Sequence, residues 1–138
     1  MKVAVDTNVL VRAAVQDDAK QAAMASKLLK EAELVAIALP CLCEFVWVLR
    51  RVYGLTSSDA VQAIKALMAA RNVEMNRLAV EAGLKVLEAG GDFADGVIAH
   101  EGRWLGAQTF VSFDKKAVAL VSAQGEVARW LGGYSVKH

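Results

Sequence analysis

Short apolar runs alternate with longer stretches of helical periodicity along the whole chain, and this alternation restricts the fold more than any other feature. Val3–Val5 reads as a buried strand, short, β-branched and bounded by polar residues. A helix over Val9–Val15 follows, and Asp17-Asp18 breaks it. Asp18 is placed to cap a second helix, Ala19–Ala32, in which Ala22, Ala25, Leu28 and Leu29 recur at helical spacing. Leu34–Leu39 is a second strand, and Pro40 opens a helix to Tyr53 that Gly54 terminates. Thr56-Ser57-Ser58-Asp59 begins a helix to about Ala70, and Val73–Met75 is a third strand. Asn76–Ala89 and Phe93–Leu105 are helices stopped by Gly90-Gly91 and Gly106. Thr109–Phe113 is a fourth strand and Lys115–Ser122 a last helix, with Tyr134–Val136 as an expected edge strand. Strands alternating with helices imply parallel pairing with helices on both faces.

The 138 residues suit one domain with a sizeable core, expected to span 1–138. Apolar residues make up 56% and aromatics only 7%, so Ala, Val and Leu carry the core. The longest charge-free runs, Leu34–Cys43 and Trp104–Phe113, are far shorter than the roughly 18–20 apolar residues a membrane-spanning helix needs. No secretory signal pattern is visible, and two cysteines spaced Cys41-x-Cys43 form neither a redox motif nor half of a usual zinc site. They read as small apolar residues at the start of a buried helix. A cytoplasmic protein is the expectation. The net charge of +1 gives no general attraction to nucleic acid, so any such contact rests on local cations. Arg12, Arg50, Arg51, Arg103, Lys115 and Lys116 are the candidates. Gly-rich nucleotide-cradling loops are absent.

Chemistry concentrates in acids. Asp6 and Asp114 each follow an apolar strand directly and lead into a helix. In α/β sheets that is where ligands bind, outside the carboxyl ends of the strands. If the two strands are parallel neighbours, the carboxylates stand side by side. The competing role is capping of the next helix. Glu44 lies one turn into the helix after the second strand, among Cys41, Leu42, Phe45, Val46, Val48 and Leu49. Burying it there is costly without a partner or a metal, although an exposed stripe would also hold it. Asp92 and Asp95 open a helix three residues apart, as in a capping box. Carboxylates that converge on one point repel one another and call for a cation. His100 and His138 have no ligand-spaced His or Cys, which argues against zinc.

Val3-Ala4-Val5-Asp6-Thr7-Asn8-Val9-Leu10, Leu39-Pro40 through Glu44, Asp92-Phe93-Ala94-Asp95-Gly96-Val97-Ile98-Ala99, and Gly106-Ala107 leading to Thr109–Asp114 together resemble PIN-domain ribonucleases. Among these they resemble VapC-type toxins of toxin–antitoxin systems. The resemblance implies a three-layer α/β/α sandwich with a central, mainly parallel sheet. It implies Asp6, Glu44, Asp95 and Asp114 as an acidic tetrad with Asp92 as an accessory acid. It implies Mg²⁺ or Mn²⁺ as cofactor, RNA as substrate, and a homodimer held by a cognate antitoxin. Direct ligation is assigned to Asp6 and Asp95. Glu44 and Asp114 complete the site or hold the attacking water, with Asn8 and Ser112 as supporting residues. The match departs at Gly96, where the family often carries Ala or Cys, a change not expected to touch the chemistry.

Two other readings compete. A haloacid-dehalogenase-type phosphatase would use Asp6 as nucleophile, but it usually has a second Asp two residues on, where this chain has Asn8. It also expects a Lys after a middle strand, and none is obvious. A non-catalytic PIN-like module that binds RNA or protein would not need four costly acids. The helix Pro40–Tyr53, apolar around more than one face, is expected to pack on the sheet and leave Trp47 for a protein partner.

Overall fold

The structure, a computed structural model, describes residues 1–133. The expected strand Tyr134–Val136 and the terminal His138 lie outside them. Elements follow in the order β1 (Lys2–Ala4), α1 (Thr7–Val15), α2 (Ala19–Glu31), β2 (Leu34–Ala36), α3 (Leu39–Arg51), α4 (Ser57–Ala69), β3 (Val73–Glu74), α5 (Arg77–Glu88), α6 (Phe93–Trp104), β4 (Phe110–Ser112), α7 (Lys115–Ala123) and β5 (Ala128–Trp130). A 3-10 turn, Leu131–Gly133, closes the described chain. Every ladder is parallel, as the alternation predicts. The strands form a three-stranded sheet in the order β1-β2-β3 and a two-stranded sheet, β4-β5. β1 pairs with β2, and β4 with β5.

The chain divides into two compact units, Met1–Arg77 and a second from Leu78 onward. In the first, Val3 registers with Val35, and Val35 with Val73. Val35, Leu42, Leu49, Ala60 and Ile64 are fully inaccessible, and Leu10 and Phe45 nearly so. Each large aliphatic or aromatic side chain buried this way contributes about 1.5–3 kcal/mol. α1 packs on α2 and α3, and α3 on α4. Asp18 caps α2 by accepting from Gln21 N at 3.0 Å. Thr56 and Asp59 form a reciprocal capping box on α4. β2 stops at Ala36 rather than Leu39, because Leu39-Pro40 already belong to α3, with Pro in the first turn where its missing N–H costs nothing. Gly54, at φ +65°, supplies the left-handed turn after α3.

A three-point tie fixes the α1–α2 corner. The Tyr53 hydroxyl donates to Asp17 Oδ2 at 2.9 Å, and Arg12 Nη1 donates to Asp17 Oδ1 at 3.1 Å. The Tyr53 hydrogen bond, opposed by desolvation and aided by the Arg12 charge, holds the Asp17 carboxyl below its ordinary value. A depressed acid stabilises the fold above the ordinary carboxylate pKa, and that stability is lost as pH falls through the folded value. Tyr53→Phe is expected to move the Asp17 titration, followed by carboxyl NMR, back upward. An unchanged titration would show that the hydroxyl does not hold the charge.

In the second unit, Val86, Ala99 and Val121 are buried together, with Phe110, Leu120 and Ala128 packed against them. α5 and α6 meet at glycines. A Cβ on Gly96 would collide with the Ala82 carbonyl oxygen and come within 2.8 Å of Gly83 Cα, and one on Gly83 would meet the Phe93 ring at 2.7 Å. Gly96 is thus required by close backbone approach in this chain. β5 has no counterpart in the sequence reading: it is three residues long with Arg129 at its centre.

Candidate active site

Asp6 stands two residues past β1, at the N-cap of α1, with Oδ1 accepting from Val9 N at 3.3 Å. Asp114 stands two past β4, at the N-cap of α7, and its Oδ1 accepts from Lys116 N at 3.0 Å and Ala117 N at 3.1 Å. The capping role is real for both. It occupies one oxygen of each exposed carboxylate, and the second oxygen has no hydrogen bond among the described residues. Capping and ligation are therefore compatible, and the cap fixes where the free oxygen can lie.

In the first unit, Glu44 is exposed on α3 between the buried Leu42 and Phe45. The burial cost anticipated for it does not arise. It shares its neighbourhood with Asp6, because both carboxylates push the Cys41 thiol upward by their charge, after burial as the larger cause and against the Thr7 hydrogen bond. Thr7 is the buried polar residue among the described residues, and its hydroxyl lies 3.9 Å from Cys41 Sγ, a long contact across α1 and α3. Burial raises Cys43 as well. Neither thiol is poised as a thiolate nucleophile or soft-metal ligand, since either role requires the ionised sulfur. The proximity of Cys41 to Asp6 was not visible in sequence. Asn8 is exposed on α1.

In the second unit, Asp95 is half-buried in the first turn of α6. Its carboxyl is raised by burial first, then by the charges of Asp92 and Asp114. These three acids are electrostatic neighbours. Asp92 holds the N-cap position of α6 but makes no side-chain cap bond, so the capping box expected there does not form and its carboxylate stays uncommitted. Ser112 Oγ accepts from Asp114 N at 2.9 Å, which fixes the Asp114 backbone. His100 Nε2 accepts from Trp104 Nε1 at 3.1 Å and is spent on that contact.

Among the described residues no three His, Cys, Asp or Glu side chains stand close enough to hold a metal ion by themselves. Each unit brings its own acids together: Asp6 with Glu44, and Asp95 with Asp92 and Asp114. The donors are all carboxylate oxygens, and one oxygen each of Asp6 and Asp114 is unspent. That donor chemistry fits a hard divalent cation rather than zinc or copper.

Parallel β/α connections with acids at the carboxyl ends of strands define an α/β protein with a carboxylate site. The PIN domain model matches residues 3–121, and the chain belongs to the PIN domain family, a family of nucleases that are typically metal-dependent. No curated protein matches the chain. No helix among the described residues is long and apolar enough to cross a membrane.

Proposed function

We propose that the protein is a metal-dependent endoribonuclease that hydrolyses RNA phosphodiester bonds with Mg²⁺ or Mn²⁺, and that it is the toxin of a toxin–antitoxin pair. The observation that carries the catalytic part is the unspent oxygen on each of the two strand-end acids, Asp6 and Asp114, in a chain of a nuclease family. Asp6 and Asp95 bind the cation. Glu44 and Asp114 complete the charge or position a water, with Asp92 as an accessory acid. A divalent cation in such a site supplies a water of lowered pKa and neutralises charge at the phosphate.

The residues of the chain do the holding. The cap bonds to Lys116 N and Ala117 N and the Ser112 hydrogen bond fix Asp114 in one orientation. Gly96 lets α6 lie against α5 and so sets the position of Asp95. No protein nucleophile is required, consistent with the protonated thiols. Asn8, exposed in the first turn of α1, is a supporting residue for the Asp6 end of the site.

The toxin reading adds a cognate antitoxin and a homodimer. Trp47, 57% exposed on α3, is the surface feature that supports a protein partner. Incubating the protein with a mixed RNA pool tests the catalytic reading. Fragments are expected with Mg²⁺ or Mn²⁺ and none with excess chelator, and cleavage that persists in chelator would remove the metal from the mechanism.

A further inference from the structure

We propose that Phe113 and Lys115, on either side of Asp114, form a subsite for one unpaired nucleobase and its phosphate, selecting single-stranded over double-stranded nucleic acid. This rests on the nuclease reading of the same acids. Phe113 is 73% exposed although it directly follows β4. A lone exposed aromatic is ordinary on protein surfaces. This one differs because the backbone on both sides of it is pinned. The Phe113 carbonyl accepts from Trp130 Nε1 at 3.0 Å, Asp114 N donates to Ser112 Oγ, and the Asp114 carboxylate ties the segment to the start of α7. A ring held out by a fixed backbone loses little freedom when a base stacks on it.

The adjoining charge is also arranged. Lys115 Nζ lies 4.5 Å from the centre of the Trp130 ring, and among the described residues it makes no ion pair with its neighbour Asp114. The indole holds the ammonium in place without neutralising it. Gly132 packs against the same indole, where a Cβ would come within 2.9 Å of Cε2. Three of the other candidate cations are committed elsewhere: Arg12 to Asp17, Arg50 to the Leu55 carbonyl and Arg103 to Glu126. Lys115, with the neighbouring Lys116, is the positive charge kept beside an acid of the site. An aromatic face with adjacent cations is the combination that binds single strands through stacking, tolerant of sequence because every base has a π-face. In a duplex the bases are already stacked on one another, so the ring gains nothing.

The test is fluorescence anisotropy with a short labelled RNA of mixed sequence, as a single strand and as a blunt duplex, in chelator so that nothing is cut. Phe113→Ala is expected to weaken single-strand binding roughly five- to hundredfold, the range for losing one base–aromatic stack, with duplex binding unchanged. Phe113→Trp restores it. Lys115→Gln lowers the slope of log affinity against log salt by about one. The exposure of Phe113 predicts unchanged melting of its variants. Equal single-strand affinity of wild type and Phe113→Ala, equal losses on strand and duplex, or no strand binding by the wild type would each overturn the subsite. A wild type that binds the strand through Phe113 but leaves it uncut in Mg²⁺ and Mn²⁺ overturns the nuclease reading and leaves the subsite standing. Cleavage with identical KM in wild type and Phe113→Ala does the reverse.

Discussion

Asp95→Asn is expected to abolish nearly all RNA cleavage while leaving the protein more stable without metal than its parent. Outer-sphere changes at metal sites already cost roughly 10–100-fold, so removing the charge of Asp95, proposed above as a direct ligand, should cost more than about a hundredfold. The stability effect has the opposite sign. Burial and the charges of Asp92 and Asp114 raise the Asp95 carboxyl above 3.8. The folded state therefore holds that proton more tightly, and stability falls as pH rises through the window between the unfolded and folded values. Above that window the penalty is fully present, and Asn removes it. The gain should vanish in melts recorded below that window. An inactive variant that melts lower than the parent at neutral pH would mean that the activity was lost with the fold.

Gly96→Ala is expected to destabilise the second unit by about 1–3 kcal/mol, the usual cost of overpacking. The opposing gain in helix propensity is about 1 kcal/mol. Sterics win because the new Cβ meets the Ala82 carbonyl and Gly83 Cα, which are backbone and cannot rotate aside. Gly102→Ala, in the same helix, is the control. Its Cβ would meet only Ala107 Cβ at 3.9 Å, so it should stabilise by about 0.4–1 kcal/mol. Denaturant melts of the two variants separate the effects. If both shift alike, the contact at Gly96 is not what fixes α6. A family habit of Ala at this position does not transfer to a chain whose α5 carries Gly83 opposite.

The Asp18 cap and the helix start at Thr56-Ser57-Ser58-Asp59 were legible because a cap is local chemistry, a side-chain oxygen reaching an N–H two or three residues on. Parallel pairing was legible from strand–helix alternation. Several features were not. β5 has the charged Arg129 at its centre, so no apolar run marks it as the runs of the other strands do. Asp92-x-x-Asp95 has the spacing of a capping box, yet only the equivalent pair at Thr56 and Asp59 closes one. Spacing shows that the bond is possible but not where the side chain turns. Glu44 among apolar neighbours gave no means of telling a buried stripe from an exposed one. That Cys41 adjoins Asp6 depends on α1 packing against α3, a contact across 34 residues.

The proposed function assigns one catalytic cation to Asp6 and Asp95, with Glu44 and Asp114 in support. Thermal melts of wild type, Asp6→Asn and Asp95→Asn, each with and without Mg²⁺, test it most directly, because one acid is altered in each unit. A ligand that binds only the native state stabilises by about 2.7 kcal/mol at a hundredfold excess over its dissociation constant. The wild-type melting temperature should rise accordingly, and both variants should lose most of that rise. Asn is itself a good helix cap, so Asp6→Asn keeps the Val9 bond and isolates the charge. If Mg²⁺ raises all three proteins equally, or if only one of the two variants loses the response, the four acids do not share one ion.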